Sequence, residues 1–247
     1  MSFEYYAILL VGAAAGGFIN GLAGFGTALL ALGFWLQIMP PISAVSMAVV
    51  MSVLSGLQGA WLVRRAIFDQ PKRLARFLIP GIFGVPLGVL ALSSLDPQIL
   101  KLTVGGMMVL YGGFFSLRRT LPAFDRPTPL IDSLIGFVSG VLGGATSLSG
   151  ALPTMWCSMR TWTKSETRAV LQPFNIIILF LSALVFLFRG NYTWEVVKDI
   201  IIALPITLLA AQVGIHVFKH LNDTQFRRLL VVMMFASGTI LLGKELL

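Results

Sequence analysis

Apolar residues run along this chain in eight long stretches, which short charged breaks separate from one another. The stretches cover residues 5–36, 42–63, 74–95, 97–117, 130–157, 169–188, 196–218 and 229–243. Most of them have the roughly 20 residues that a membrane-spanning helix needs. The pattern therefore predicts an all-α polytopic membrane protein.

The first stretch is too long to be one simple span. As a single helix it would extend about 48 Å, whereas the hydrocarbon core of a bilayer is about 30 Å thick. Gly21, Gly24 and Gly26 lie together inside it. Each glycine costs a helix roughly 1 kcal/mol relative to alanine, so this cluster indicates a deliberate helix break. The backbone groups freed by such a break need protein or a water-filled cavity as partners.

The same glycine-rich segment occurs twice, as GFINGLAGFGT at residues 17–27 and as GFVSGVLGGAT at residues 136–146. Other landmarks repeat in the same order. They are Pro80 and Pro205, Gly88 and Gly214, residues 95–102 and 221–228, and the methionine pairs 107–108 and 233–234. This predicts two homologous repeats, 1–120 and 130–247, joined by a polar, proline-rich cytoplasmic linker at 121–129. Paired helix breaks in corresponding halves are typical of transporter substrate sites.

The basic residues indicate how the chain crosses the membrane. If all eight stretches cross, the two sides receive 11 and 7 of the 18 lysines and arginines. If the first and fifth stretches instead turn back at their glycines, the two sides receive 14 and 4, and the 14 lie in loops 64–76, 118–126, 160–168 and 219–228. The positive-inside rule favours the second arrangement. It predicts cytoplasmic basic loops, outward-facing termini and two inverted repeats, each a glycine-broken (re-entrant or discontinuous) helix plus three transmembrane helices.

Composition agrees with a membrane protein and excludes several other classes. Hydrophobic residues make up 57% of the chain and charged residues 11%, whereas a soluble domain is about one-quarter charged. The net charge of +8 is assigned to the basic loops, so no nucleic-acid partner is predicted. The single Cys157 excludes an internal disulfide and cannot build a metal site by itself. No cofactor or metal is predicted, and a homodimer remains open.

Helix breaks suggest an anion as the ligand, because a helix N-terminus presents unpaired N–H groups and a partial positive charge. Thr27 and Thr146 follow the glycines, where second half-helices are expected to begin. Gln172 and Asn175 lie three residues apart and share one helix face. The predicted substrate-binding residues are Asn20, Gly24, Phe25, Gly26, Thr27, Gly143, Gly144, Thr146, Ser147, Gln172 and Asn175. The alternatives are that the hydroxyls bond to their own helices and that Phe25 simply packs.

The acidic residues support this choice of ligand. All ten carboxylates fall at the ends of apolar stretches or in loops. The sequence therefore predicts neither a mid-membrane proton relay nor a cation site. Backbone dipoles, amides and hydroxyls suit an anion better than a cation.

The doubled glycine segment, with Gly88 or Gly214 seven residues before Leu95 or Leu221, resembles the TauE/SafE family. This is the sulfite exporter group within the 4-toluene sulfonate uptake permease superfamily, and the resemblance extends over essentially the whole chain. It implies an inner-membrane, multi-pass transporter of sulfite, sulfonates or related organosulfur anions. The first copy has no proline after its glycines until Pro40, whereas the second has Pro153, which predicts an asymmetric pocket.

Inverted repeats that meet near the membrane midplane predict an alternating-access carrier, to which there are two alternatives. A passive anion channel would conduct through weak sites without alternating gates. Ser149-Gly150, with His216 further along, resembles the Ser–His dyad of rhomboid-like intramembrane proteases. That motif requires glycine where Ser147 stands, and a protease would leave the repeat unexplained. The sequence therefore predicts a transporter and no enzyme.

Overall fold

The computed structural model describes residues 3–94, 97–116 and 124–246, which are almost entirely helical. The helices are α1 (Phe3–Ala23), α2 (Thr27–Trp35), α3 (Pro41–Leu62), α4 (Arg64–Asp69), α5 (Pro71–Ser94), α6 (Pro97–Ser116), α7 (Pro129–Thr146), α8 (Ala151–Ser158), α9 (Lys164–Phe188), α10 (Trp194–His220) and α11 (Asp223–Leu246). Within these ranges the only β-type pairing is one isolated bridge, between Phe124 and Arg160. The repeat landmarks Leu95 and Asp96 and residues 117–123, which include the start of the linker, lie outside the described residues.

Six of the helices are long and apolar enough to cross a membrane. They are α1, α3, α5 over Pro71–Leu90, α7, α9 and α10. The predicted all-α, membrane-type class is therefore confirmed. One of the spans, α9, begins at Lys164, ahead of its apolar stretch. Thr163 and Glu166 form a capping box there, which satisfies backbone N–H groups that have no partner inside the helix.

The first glycine-rich segment separates a long helix from a short one. Helix α1 ends at Ala23 and α2 begins at Thr27. Between them Gly24 and Gly26 have φ angles of 88° and 97°, a backbone conformation that glycine adopts without steric cost. Helix α2 then packs back along α1, and the Trp35 indole N–H donates to the Leu9 carbonyl at 3.0 Å. The chain thus returns toward the end at which α1 begins.

The second segment also turns back, but at a different position. Helix α7 ends at Thr146 and α8 begins at Ala151. The Trp156 indole donates to the Asp132 carboxylate in the first turn of α7 at 2.7 Å. The expectation that Thr146 begins a second half-helix is wrong. The interruption falls after Thr146, where Ser147 has a φ of 63°, whereas in the first copy it falls before Thr27.

The loops rich in lysine and arginine lie together at one end of the molecule, here called the basic end. It comprises loops 64–76, 124–126, 160–168 and 219–228. The contacts that join these loops are Arg73 to Glu166, the Phe124 N–H to the Met159 carbonyl, and the Lys164 N–H to the Asp223 carboxylate. These are the loops that the charge pattern placed on one side, as far as the structure describes them.

Glycines before each break allow two pairs of helices to cross closely. A Cβ at Gly17 or Gly21 of α1 would collide with the backbone of α10, at Thr207 and Ala211 respectively. A Cβ at Gly136 or Gly140 of α7 would collide in the same way with α5, at Phe77 and Gly81. Small residues at such crossings let helix backbones approach each other. The repeated glycines therefore have a packing role that the sequence analysis did not assign to them.

These crossings also correct one repeat landmark. A Cβ at Gly214 would meet the Phe18 carbonyl oxygen, and a Cβ at Gly84 would meet that of Phe137. Phe18 and Phe137 occupy matching positions in the doubled segment. The predicted pairing of Gly88 with Gly214 is therefore wrong by one helical turn, because Gly84 has the corresponding surroundings.

The close crossing of α7 and α5 predicts that a side chain added there lowers the stability of the protein. We expect Gly140→Val to lower the free energy of unfolding by about 1–3 kcal/mol or more, because overpacking against the α5 backbone forces the helices apart. Gly106→Val in α6 is the control, since a Cβ there has no atom within 4 Å. The thermal unfolding midpoint of the purified protein in detergent measures both. Equal midpoints would contradict the close crossing.

Candidate functional site

The two helix interruptions meet in the interior of the protein. A Cβ at Gly150, in the second interruption, would lie 2.5 Å from the side chain of Phe25 in the first. Helix α9 runs past both. A Cβ at Gly24 would lie 2.9 Å from the Gln172 side-chain oxygen, and the Ser149 hydroxyl donates to the Asn175 side-chain oxygen at 2.6 Å. The predicted pair on α9 thus contacts one interruption each.

Helix α3 closes the site on the side of the first interruption. The fully buried Asn20 amide donates to the Ser52 carbonyl at 2.9 Å and to the Ser55 hydroxyl at 2.6 Å. The Gln172 amide donates to the Gly56 carbonyl at 3.0 Å. These amides therefore connect α1, α3 and α9 around the first interruption.

A buried arginine, Arg168, stands at the centre of this network. Its guanidinium donates to the Gln172 side-chain oxygen at 3.0 Å, to the Gly21 carbonyl at 2.7 Å and to the Leu22 carbonyl at 3.3 Å. The last carbonyls of a helix have no partner inside that helix and carry a partial negative charge. Arg168 therefore stabilises the C-terminal end of α1 directly before the glycines.

The sequence analysis missed this residue, because it counted Arg168 among the loop cations ahead of the sixth apolar stretch. That assignment is wrong, since Arg168 lies inside α9 and its exposed fraction is 0%. The capping box at Thr163 and Glu166 is the sequence signal that could have found it. A helix that begins there places Arg168 one turn before Gln172, on the same face.

The charge of Arg168 has no acidic partner among the described residues. The ion pairs there join Arg73 to Glu166, and Arg76 and Arg160 to Asp132. A guanidinium carries five N–H donors, of which the three hydrogen bonds above use three. A charged side chain inside a membrane-spanning segment is costly and usually marks a functional site. Arg168 can therefore offer both charge and donors to an anion.

Several predicted site residues also carry buried polar atoms that have no hydrogen-bond partner. These atoms are the side-chain oxygen of Asn20, the side-chain nitrogen of Asn175 and the hydroxyls of Thr27 and Ser147. Buried polar groups usually find partners. Unpaired atoms at both interruptions support a binding role for this region.

The remaining predicted residues have other surroundings. A Cβ at Gly144 would lie 2.5 Å from the Val85 carbonyl oxygen, so this glycine faces α5. The Thr146 hydroxyl donates to the Leu142 carbonyl at 2.9 Å, which is the backbone alternative considered for such hydroxyls. Gly143 lies against Ile178 and Ser149, and Gly26 lies against Ile19.

Two carboxylates near helix ends are buried, and both are hydrogen-bonded. Asp132 contacts Arg160 at 3.2 Å and accepts from Trp156. Asp199 accepts from the Tyr5 hydroxyl at 2.5 Å. Across the described residues, no group of three or more His, Cys, Asp or Glu side chains could hold a metal ion.

A cavity of about 600 Å³ opens at the basic end, next to the start of α9. Its charged lining residues are Arg64, Arg65, Asp69, Lys164 and Lys219, and Phe218 also lines it. A second cavity of about 520 Å³ lies beside it, where His216 and Lys219 contribute to the wall. The surroundings of the site are thus strongly cationic at this end of the molecule.

The sequence was also compared with families and with known proteins. The family model described as "Sulfite exporter TauE/SafE" matches residues 8–241. No curated protein matches the chain. The resemblance found in the sequence is thereby confirmed over nearly the whole chain.

Proposed function

Because this chain belongs to the TauE/SafE sulfite exporter family, we propose that it carries small sulfur-containing anions across a membrane. Sulfite, sulfonates and related organosulfur compounds are the substrate class, and the family consists of transporters, not enzymes. The binding site is the region where the two helix interruptions meet on α9.

The observation that carries this proposal is the buried Arg168. It has no acidic partner in the described part of the chain, and it is hydrogen-bonded to Gln172 and to the last turn of α1. An oxyanion of sulfur has several acceptor oxygens, and arginine binds such groups with paired N–H donors. The unpaired hydroxyls of Thr27 and Ser147 and the amide of Asn175 supply further donors in place of the hydration shell of the anion.

Alternating access between two inverted repeats is the proposed mechanism. In its support, α1 crosses α10 as α7 crosses α5, with glycines at matching positions. Helix α7 begins at the basic end, where Asp132 contacts Arg160, whereas the Tyr5 end of α1 contacts Asp199 in α10, near the opposite end. Inverted repeats that meet at a central site give a carrier two gates.

The positive-inside rule assigns the basic end to the cytoplasm. Outside the basic end, the described ranges hold four lysines and arginines, which are Lys101, Arg189, Lys198 and Lys244. Both termini then face outward, and the membrane is the inner membrane of a cell. Assembly as a homodimer also stays a prediction.

The contacts of Ser149 and His216 favour the carrier over the protease alternative. The Ser149 hydroxyl is hydrogen-bonded to Asn175, and the ring of His216 contacts His220 at 4.6 Å. A channel remains the second candidate, because a polar interior lined by amides and hydroxyls can also conduct anions.

Transport by the purified protein in proteoliposomes tests the proposal. We expect labelled sulfite or taurine to enter vesicles that contain the protein, and excess unlabelled sulfonate on the far side to accelerate this entry. Such acceleration requires a site that alternates between the two faces, so a channel would not show it. Chloride in place of sulfonate is the control. Indifference to sulfite, thiosulfate, taurine, sulfoacetate and aryl sulfonates alike would overturn the substrate class.

A further inference from the structure

Phe218 borders the basic cavity and contacts Arg168. Phe218 lies in the last turns of α10, and its exposed fraction is 3%. Phe218 lines the cavity, and the centre of its ring lies 4.4 Å from the guanidinium carbon of Arg168. Arg168 is not among the described residues that line the cavity. One residue, Phe218, therefore borders the cavity and contacts the buried cation.

Charged groups hold this ring and its helix in place. The Lys164 ammonium lies 5.1 Å from the ring centre and donates to the carbonyls of Phe218, Lys219 and Leu221 at the C-terminal end of α10. Phe226 packs edge-on against the ring at 5.1 Å. Because Lys164 also lines the cavity, an anion in the cavity would compete with the end of α10 for this ammonium.

We infer that the cavity is the vestibule of the substrate path and that Phe218 is the gate between it and Arg168. The four cations that line the cavity concentrate anions at its mouth, and the single carboxylate, Asp69, offsets only part of their charge. The Phe218 ring has no hydrogen-bonding atom, so it blocks a hydrated anion while the cation–π contacts hold it in place. The inference rests on the proposed function and adds to it the route by which the anion reaches the site.

A cysteine placed behind the ring tests this gate. The natural Cys157 is the only cysteine of the chain, so a Cys157→Ser background leaves one introduced thiol, from Ser55→Cys. Ser55 is buried and accepts a hydrogen bond from Asn20, on the site side of Arg168. The probe is a membrane-impermeant methanethiosulfonate reagent that carries a sulfonate, added separately to each face of sealed vesicles.

We expect Phe218→Ala to raise the rate of Ser55→Cys modification about tenfold or more, because it opens a gap in a close-packed interior. The increase should occur only from the face that bears Arg64 and Arg65. Phe218→Trp enlarges the ring and should not raise the rate. If Phe218→Ala does not fold, the rate in Phe218→Trp still tests the gate. The matched control is Phe186→Ala, which removes a similarly buried ring from another helix, near the C-terminal end of α9.

An unchanged rate in folded Phe218→Ala, or an equal increase in Phe186→Ala, would overturn the gate. A faster rate in Phe218→Trp than in the parent would overturn it as well. The measurement needs no transported substrate, so it separates the two proposals. Gated access without sulfur-anion transport would refute the substrate class alone, and transport without gated access would refute Phe218 alone.

Discussion

Replacing Arg168 by glutamine is expected to reduce transport of sulfur anions about 10- to 100-fold per folded molecule. Hydrogen bonds to charged groups contribute about 1.5–3 kcal/mol each, and 1.4 kcal/mol corresponds to a factor of ten. Glutamine removes the buried charge that faces the joined interruptions but keeps a polar side chain toward Gln172. Initial rates in proteoliposomes over a range of substrate concentrations measure the effect.

Arg168 also binds the end of α1, so a purely structural role must be distinguished from substrate binding. Arg168→Lys keeps the charge but loses the planar, paired donors, and we expect it to recover part of the rate with a raised apparent KM. Arg189→Gln is the matched control. Arg189 follows the opposite end of α9 and donates to the Val89 carbonyl at 3.3 Å. If Arg168→Gln lowered only the unfolding temperature and left the rate per folded molecule unchanged, Arg168 would be structural.

Gly24→Leu is expected to abolish transport while the protein still inserts into the membrane. Gly24 has a φ of 88°, a conformation that costs a residue with a side chain about 1–3 kcal/mol. Its Cβ would also lie 2.9 Å from the Gln172 side-chain oxygen, so a leucine must displace the amide that binds Arg168. Transport in proteoliposomes and the membrane-bound fraction in cells measure the two effects.

Gly190→Leu separates backbone strain from the effect on the site. Gly190 also has a positive φ, of 72°, but no atom lies within 4 Å of a Cβ placed there. We expect this variant to lose some stability and to keep its transport rate. Gly24→Ala has the same φ and a smaller side chain, so its transport rate should lie between those of Gly24→Leu and the parent. Normal flux in Gly24→Leu would remove Gly24 from the site.

The helical, membrane-type fold could be predicted closely from the apolar pattern. The length of an apolar stretch is a local property, and the lipid environment forces backbone groups to bond within the helix. The basic loops could be predicted as well, because they are the charged breaks between apolar stretches. In the structure these loops contact one another at one end of the molecule. Thr146 was misplaced because glycine clusters fix a helix break only to within about a turn, and the cluster at Gly143 and Gly144 remained helical.

The candidate site could be predicted from the sequence only in part. Five of the predicted residues lie together around the joined interruptions: Asn20, Gly24, Phe25, Gln172 and Asn175. The sequence could indicate them because amides and clustered glycines stand out inside apolar stretches. Gly144 faces α5 instead, because the direction a helical residue faces depends on the rotation of the whole helix against its neighbours.

The sequence by itself determined the class of protein, the two glycine-rich interruptions and the family, because these depend on composition, local pattern and motif. Only the tertiary structure decided that Arg168 is buried and not a loop cation. It also decided that the two interruptions meet at Phe25 and Gly150, and that Phe218 contacts Arg168. Arg168 and Gly21 are 147 residues apart in the chain. Contacts between such distant residues are set by how the helices pack, and neighbouring residues in the sequence carry no record of them.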